Sequence, residues 1–398
     1  MTSSNIIQDI NVTTRQPAQS VSTESAYTQH SLKNFSQTEV PEGCLVVMQT
    51  AEFLPWDNAD NLISQETEQW VELVVNGVTL PILFIISSVT NVINMAVFYR
   101  HGLKERVNLC LFALSFVDFV YVLQSFVLYV DKLYLAITGD SRVGVLTLFF
   151  VKNMLLGLTG FSWASGFMSA VVACERCFCI VSPLKSKTFL ETKTMAMIIL
   201  VSTVLIVGGM FVVMAQWDVV CVFDPVSLST SHLVFPSKFF LDNRQVLELF
   251  DAVVYGIAMP GFCLTTVTIA TLVIGIKLRQ MATWREQSSS AASMSSRDLA
   301  LTRMLVATSI LFIVSLLPAL VLRVAIFAEP ELSLSGRYYN TFNLLISFSQ
   351  LFTYVNSSVN FFFYYFIGTK YRETVRRMFG KPMEKDVSVM STSVSHTR

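Results

Sequence analysis

From Thr194 to Trp217 the chain reads TMAMIILVSTVLIVGGMFVVMAQW, with no charged side chain. A run of that length is what an α-helix needs to cross hydrocarbon roughly 30 Å thick, at a rise of about 1.5 Å per residue. A window of about 19 residues finds seven such segments. They fall near Trp70–Tyr99, Asn108–Val130, Val143–Cys177, Thr194–Trp217, Val246–Leu278, Leu299–Phe327 and Tyr338–Phe366. Several exceed the roughly 20 residues that spanning requires, which implies tilt or helix projecting into water. Helices satisfy their own backbone polar groups in lipid, whereas barrel strands show a shorter, alternating pattern. The expected fold is therefore an all-α membrane protein, a seven-helix transmembrane bundle. Composition agrees: 53% of residues are hydrophobic, 14% are charged and mean hydropathy is +0.56. Soluble domains carry about a quarter charged residues. Basic and acidic residues balance at 28 each, which argues against nucleic acid as a partner.

Lys and Arg set the expected orientation. Arg100, Lys104 and Arg106 lie in the first connection, Lys185, Lys187 and Lys193 in the third, and Lys277, Arg279, Arg285 and Arg297 in the fifth. Lys370, Arg372, Arg376 and Arg377 follow the last span. The positive-inside rule then places the N-terminus outside and the C-terminus in the cytoplasm of a multi-pass membrane protein. Asn11-Val-Thr and Asn34-Phe-Ser are glycosylation sequons in the outer tail and fit that orientation. The opening MTSSNIIQDINVTTRQ lacks a basic region followed by an apolar one, so no cleavable signal peptide is expected.

The chain divides into a polar tail, 1–68, expected to be disordered, the bundle, 69–366, and two short C-terminal pieces. In 367–380, Tyr371, Val375, Met378 and Phe379 oppose basic residues, the spacing of a short helix lying in the interface. Residues 381–398 read as a disordered cytoplasmic tail. The fifth connection, with SSSAASMSS, is a flexible linker; it and the tail are open to kinases. An apolar island in the outer tail, CLVVMQTAEFLPW, is placed to dock on the bundle. Among seven cysteines the topology puts only Cys44 and Cys221 outside, so a disulfide between them is the one to expect.

Polar groups inside the spans are few, and each is informative. Asn91, Asp118, Ser165, Asn356 and Asn360 all sit near mid-depth and should converge in the interior. Asp118, Ser165, Asn356 and Asn360 can hold water or a small hard cation, with sodium the abundant candidate. The alternative is a static hydrogen-bond cluster gluing helices. At the inner end of the third span, Glu175-Arg176 puts two charges side by side after LLGLTGFSWASGFMSAVV. Ions that close to the membrane need partners.

In this order the motifs resemble the rhodopsin-like class of G-protein-coupled receptors, over about Trp70 to Gly380. Asn91 matches the class's first-span asparagine, and Leu114-Ser-Phe-Val-Asp118 its leucine-to-aspartate motif. Cys174-Glu175-Arg176-Cys177 resembles Asp-Arg-Tyr, with Ser182-Pro183-Leu184 after it. Pro260 and Pro318 match the prolines of the fifth and sixth spans, and Asn356-Ser-Ser-Val-Asn360-Phe-Phe-Phe-Tyr364 resembles Asn-Pro-x-x-Tyr. The resemblance implies an activation switch in which Arg176 latches the third and sixth spans when inactive and faces a heterotrimeric G protein when active. Glu175 is its neighbouring carboxylate, Asp298 its partner, and Phe312, Pro318, Asn360 and Tyr364 further switch positions. Arrestin and receptor kinases are implied as further cytoplasmic partners. Departures are plain: Val151 stands near the class's third-span cysteine, Leu316 at its sixth-span tryptophan, Phe361 at its seventh-span proline and Thr268 at its fifth-span tyrosine.

Two positions prune ligand classes under that resemblance. Tyr354 stands where a retinal-binding relative needs lysine, and Leu158 where an amine receptor needs aspartate. What remains facing the outer half includes Tyr129, Asp251, Arg323 and Gln350. Arg323 lies about 7.5 Å above Pro318 along a helix, a depth suited to a ligand carboxylate or carbonyl. Mixed charge at the mouth and a long outer loop favour a peptide, and the last motifs resemble invertebrate FMRFamide-like neuropeptide receptors. The alternative within the class is an environmental chemosensory receptor, and a more distant one is a transporter or channel. No catalytic motif appears, so no enzyme is expected.

Overall fold

The computed structural model describes residues 44–46, 60–138, 144–183, 185–186, 191–224, 229–287, 296–329, 331–333 and 336–380. The two glycosylation acceptors, Asn11 and Asn34, and the tail 381–398 lie outside the described residues.

Helix α1, Gln65–His101, starts at Ser64, whose hydroxyl accepts from the Thr67 amide, and passes through a π-helical stretch, Leu73–Thr79. Then come α2, Arg106–Thr138, α3, Val145–Lys152, a 3₁₀ turn over Leu155–Thr159, α4, Gly160–Val181, and α5, Thr192–Met214. After a hairpin the chain forms α6, Lys238–Phe250, a π-helical stretch Asp251–Ala258, and α7, Met259–Gln287. The last helices are α8, Ser296–Ala328, α9, Tyr339–Ile367, and α10, Thr369–Met378.

Among the described residues six stretches are long and apolar enough to cross a membrane: Gln65–His101, Arg106–Asp131, Leu155–Val181, Thr192–Met214, Lys238–Met281 and Leu299–Ala328. The expected seventh, α9, has the length at 29 residues but not the hydropathy, because Asn, Ser, Thr and Gln recur along it. It nevertheless packs between α8 and α1. Closure then follows: α1 lies against α2 and α9, α8 against α7 and α9, and α4 touches α2, α5, α7 and α8. Helix α4 is thus the central one. Outward-facing Leu, Ile, Val and Phe, such as Leu200 and Leu205 on α5, leave an apolar belt suited to lipid.

One expected span is corrected. Val143–Cys177 is not a single helix: α3 stops at Lys152, Met154 takes a left-handed φ of 55°, and only then does the chain re-enter through the 3₁₀ turn. Two glycines explain the geometry beyond the break. A Cβ on Gly157 would collide with the Phe211 ring, and one on Gly160 would lie 2.9 Å from Val207 Cα. Small residues let α5 approach that closely, as small-residue stripes do between membrane helices. The detached α3 is held elsewhere: both carboxyl oxygens of Asp131 accept from its first turn, from Leu146 N at 3.3 Å and Thr147 N at 2.8 Å.

Above that end of the bundle sits a small sheet that the apolar patterning did not announce. Strands β2, Trp217–Asp224, and β3, Ser229–Pro236, form an antiparallel hairpin, and β1, Leu45–Val46, adds to β2 in parallel. Cys44 and Cys221 are disulfide-bonded, with Cα atoms 4.6 Å apart. Leu45 and Val46 are part of the apolar island, so this piece of the polar tail docks on the hairpin. The tail is pinned again near α9, where Asn340 N donates to Asn61 Oδ1 at 3.1 Å. At the other end α10 buries Tyr371 and Val375 against α1 and α9 and leaves Phe379 exposed. Burial also pushes the Tyr371 phenol upward from its usual range.

Gly160→Val should force α4 and α5 apart and cost about 1–3 kcal/mol, the usual penalty for overpacking. A thermal unfolding midpoint in detergent that does not fall would show that the helices do not meet there.

Candidate functional site

Asp118 has no exposed surface, and three neighbours meet its carboxyl group. Ser165 Oγ of α4 donates at 2.5 Å, Ser357 Oγ of α9 at 3.1 Å and Asn360 Nδ2 of α9 at 3.3 Å. Helical spacing places Ser357 and Asn360 one turn apart on one face of α9. Asn91 does not reach Asp118. Its Nδ2 donates to Ser357 O at 3.0 Å and to Ser87 Oγ at 3.1 Å, tying α1 to the α9 backbone. Asn356 is buried, but its side chain faces a cavity instead of the carboxyl. The sequence pointed to Asn356 and passed over Ser357, its neighbour in Asn-Ser-Ser.

The cavity has a volume of about 500 Å³ and lies in the half of the bundle nearer the hairpin. Ser165 forms part of its floor, so one hydroxyl serves both the cavity wall and Asp118. Tyr129, Arg323 and Gln350 line it, and the Tyr129 hydroxyl donates a short hydrogen bond to Gln350 Oε1. Tyr354, Leu158 and Asp251 are not among the residues that line it. Tyr354 is fully buried, packed between the rings of Tyr121 and Tyr129 at 5.5 and 6.0 Å, and is a core residue. Leu158 is half-buried in the 3₁₀ turn, where the broken helix turns it off the cavity. Asp251 opens the π-helical stretch and acts on Arg323 only through its field. Phe312 lines the cavity and packs into a cluster with Ala170 and Cys263, and Pro318 interrupts the α8 ladder above it.

At the opposite end of α4, the Glu175 side chain is 1% exposed and carries two guanidinium partners. Arg176 grips it with both Nε and Nη2, the latter at 2.8 Å, and Arg106 Nε of α2 stands 3.7 Å away. Cys179 Sγ donates to the same carboxylate at 3.3 Å. Arg106 also donates to the Ser186 carbonyl, fastening the connection after α4. The tie therefore runs from α4 to α2. Asp298 is in the first turn of α8, but its side chain lies outside the described residues. Arg106 was legible only as one more basic residue marking topology. Tyr364 is buried beside Phe98 and Tyr371, at 5.4 and 5.6 Å.

A central helix bearing a cavity floor at one end and a buried ion cluster at the other is a receptor-like arrangement. A family model described as serpentine type 7TM GPCR chemoreceptor Srw matches residues 78–382, most of the chain. The chain belongs to this family. No curated protein matches it. The Srw match runs from within α1 through α10 and includes every residue of the cavity, the Asp118 cluster and the Glu175 cluster. It supports a multi-pass membrane receptor, which is not an enzyme class.

Removing the Asp118 carboxyl leaves three donors from α4 and α9 without an acceptor. Asp118→Ala should cost several kcal/mol, at about 1–3 kcal/mol per unsatisfied buried group, and Ser357→Ala about 1 kcal/mol. Equal unfolding midpoints for both variants and the parent in detergent would refute this ranking.

Proposed function

We propose that this Srw-family chain is a plasma-membrane chemoreceptor. A small ligand enters the cavity, and the receptor activates a heterotrimeric G protein at the face around Arg176. The observation that carries the reading is Ser165. It lies on the cavity floor, donates to Asp118, and sits on the same helix as Arg176, about 16 Å further along the axis. A ligand that favours one placement of α4 shifts the equilibrium between two packings by its difference in affinity for them. The basic connections favour the Arg176 end in the cytoplasm and the disulfide-bonded hairpin outside. Helix α9 is then the seventh crossing, its polar residues turned inward to the cavity and Asp118.

Glu175 is the proposed inner catch. While Arg176 and Arg106 share it, the guanidinium of Arg176 is held; release presents that group to the G protein. Asp298 remains a proposed second partner across to α8. Arrestin and receptor kinases would act on the same face. A sodium ion fits the Asp118 site in part: the carboxyl and the hydroxyls of Ser165 and Ser357 are hard oxygens, while Asn360 offers its amide nitrogen. When bound, it would supply a fixed positive charge beside the carboxyl.

A neuropeptide ligand is the second reading, and Arg323 favours it. Its side chain is exposed at the cavity edge, where a peptide terminus reaching in from outside would meet it. The resemblance to FMRFamide-like receptors points the same way. Screening small odorants and a peptide library on cells expressing the chain, with G-protein activation as readout, decides between the two. Glu175→Gln should raise basal activation about fivefold or more, in the range of ordinary allosteric coupling, and Arg176→Ala should silence it. Basal activity unchanged by Glu175→Gln at equal surface expression would sink the catch.

A further inference from the structure

Three helices fix where the cavity ends. Its innermost lining residues are Ser165 and Gly166 on α4, Phe312 on α8 and Asn356 on α9. Along α9 the wall runs from Phe342 to Asn356, a depth of roughly 21 Å at the helical rise. The floor is level with the Asp118 cluster, since Ser165 holds the carboxyl and Asn356 adjoins Ser357. Two polar side chains meet at this floor, and Ser165 is already spent on Asp118. Asn356 is 7% exposed, its amide hydrogen-bonds to no described residue, and what surface it keeps opens into the cavity. Buried amides are paired in the great majority of cases, so one left open here is satisfied by what enters the cavity.

Charge is kept away from the floor. Arg323 is the one charged residue among the described residues that line the cavity. It stands roughly 16 Å from Phe312 along α8, in the field of the Asp251 carboxylate. An ionised group at the floor would lose its hydration with no counter-charge in reach, whereas a neutral one needs a single hydrogen bond. The wall between is largely Trp163, Met210, Met214, Leu320, Phe342 and Ile346. Aromatic and thioether side chains take up an apolar body without fixing its outline. At about 500 Å³ the cavity falls within the range for drug-sized ligands.

Resting on the proposed placement of ligand in this cavity, we infer that the ligand is a neutral, mainly apolar molecule whose hydrogen-bonding oxygen meets the Asn356 amide at the floor. A carbonyl oxygen accepts from Asn356 Nδ2; a hydroxyl donates to Oδ1. Ketones, esters and alcohols share this chemistry. Contact there bears on the residue beside Ser357, and so on the α9 side of the Asp118 cluster.

The test uses the full chain in cell membranes, with nucleotide exchange on a co-expressed G protein as readout. The probes keep one skeleton and change one group: 4-phenylbutan-2-one, 4-phenylbutan-2-ol, butylbenzene, 3-phenylpropanoate and 4-phenylbutan-2-amine. Their naphthyl analogues supply a larger body. The ketone or the alcohol should activate at a concentration roughly tenfold below butylbenzene, as one hydrogen bond allows. Which of the two leads tells whether Asn356 donates or accepts. The acid and the amine should be weaker than both. Asn356→Leu, close in shape, should erase the advantage over butylbenzene. Asn356→Ala serves the same purpose should the leucine variant fail to reach the surface. Both probes are compared on the same receptor, so changes in expression or coupling cancel. An undiminished advantage in both variants, an acid or amine as potent as the neutral probes, or silence of every ketone and alcohol would overturn the inference. Ser349→Trp separates the two levels, because it fills the cavity above the floor. If it abolishes activation while the Asn356 variants keep the advantage, the floor contact falls and the receptor reading stands. If activation survives it, the ligand does not bind in the cavity and both fall. Should every ketone and alcohol be silent, any library compound that activates takes their place in the Ser349→Trp comparison.

Discussion

A carboxyl group with no contact with water must find hydrogen-bond donors, and Asp118 finds them on two other helices. That demand does more than glue α2, α4 and α9 together. Van der Waals packing between apolar helices in lipid is tolerant of sliding and rotation, because lipid tails are as apolar as the helix surfaces. Hydrogen bonds to a single carboxyl are not tolerant. Ser165, Ser357 and Asn360 each have to arrive at a set height and rotation, so the register of three helices is specified at one point. Asn91 extends the constraint to α1 by gripping the Ser357 carbonyl.

The same point lies on the helix that runs between the two ends of the molecule. Ser165 belongs to the cavity floor, and α4 continues from it to Glu175 and Arg176 without a break. Toward the hairpin the helix is broken, at Met154, so α3 rides with α2 through Asp131 and with the hairpin. The break separates a part that caps the hairpin end from a part that passes through the core. A disulfide from the tail to the hairpin, Cys44–Cys221, secures that end without a cysteine in α3. The broken helix therefore need not be anchored at its hairpin-side tip.

Much of this was legible in the residues because lipid imposes a simple rule: long apolar runs become helices. The six apolar spans and the mid-depth position of Asp118 follow from it. What the rule does not register is local. Nothing in a hydropathy window distinguishes Lys152-Asn153-Met154 as a break, since the residues around it, including Gly157 and Gly160, are apolar or small; the signal is α5 approaching across those glycines. The hairpin depends on β-branched residues in a loop, Val219-Val220 and Val222, read there only as length. Ser357 escaped for a different reason. Ser in a span is unremarkable singly, and only the facing helix shows that it meets a carboxyl. Helix α9 shows the converse: the polar residues that build the site also lower its hydropathy below that of its neighbours.

Why two charges should stand side by side at the end of an apolar helix now has a physical answer. One carboxylate between two guanidiniums leaves a net positive cluster, in which neither arginine owns its partner. Arg176 grips with two N–H groups and Arg106 with a longer contact, so in the proposed catch Glu175 would keep a partner on α2 when Arg176 turns away. A carboxylate with a single partner would be stranded by that motion, at the several kcal/mol that an uncompensated buried charge costs. Under the proposed catch, the second arginine would offset part of that penalty and bring the two packings closer in energy. Closeness in energy is what a ligand of ordinary affinity needs if its binding is to decide between them. In this view Arg106 is as much part of the switch as Arg176, because it makes the released state affordable.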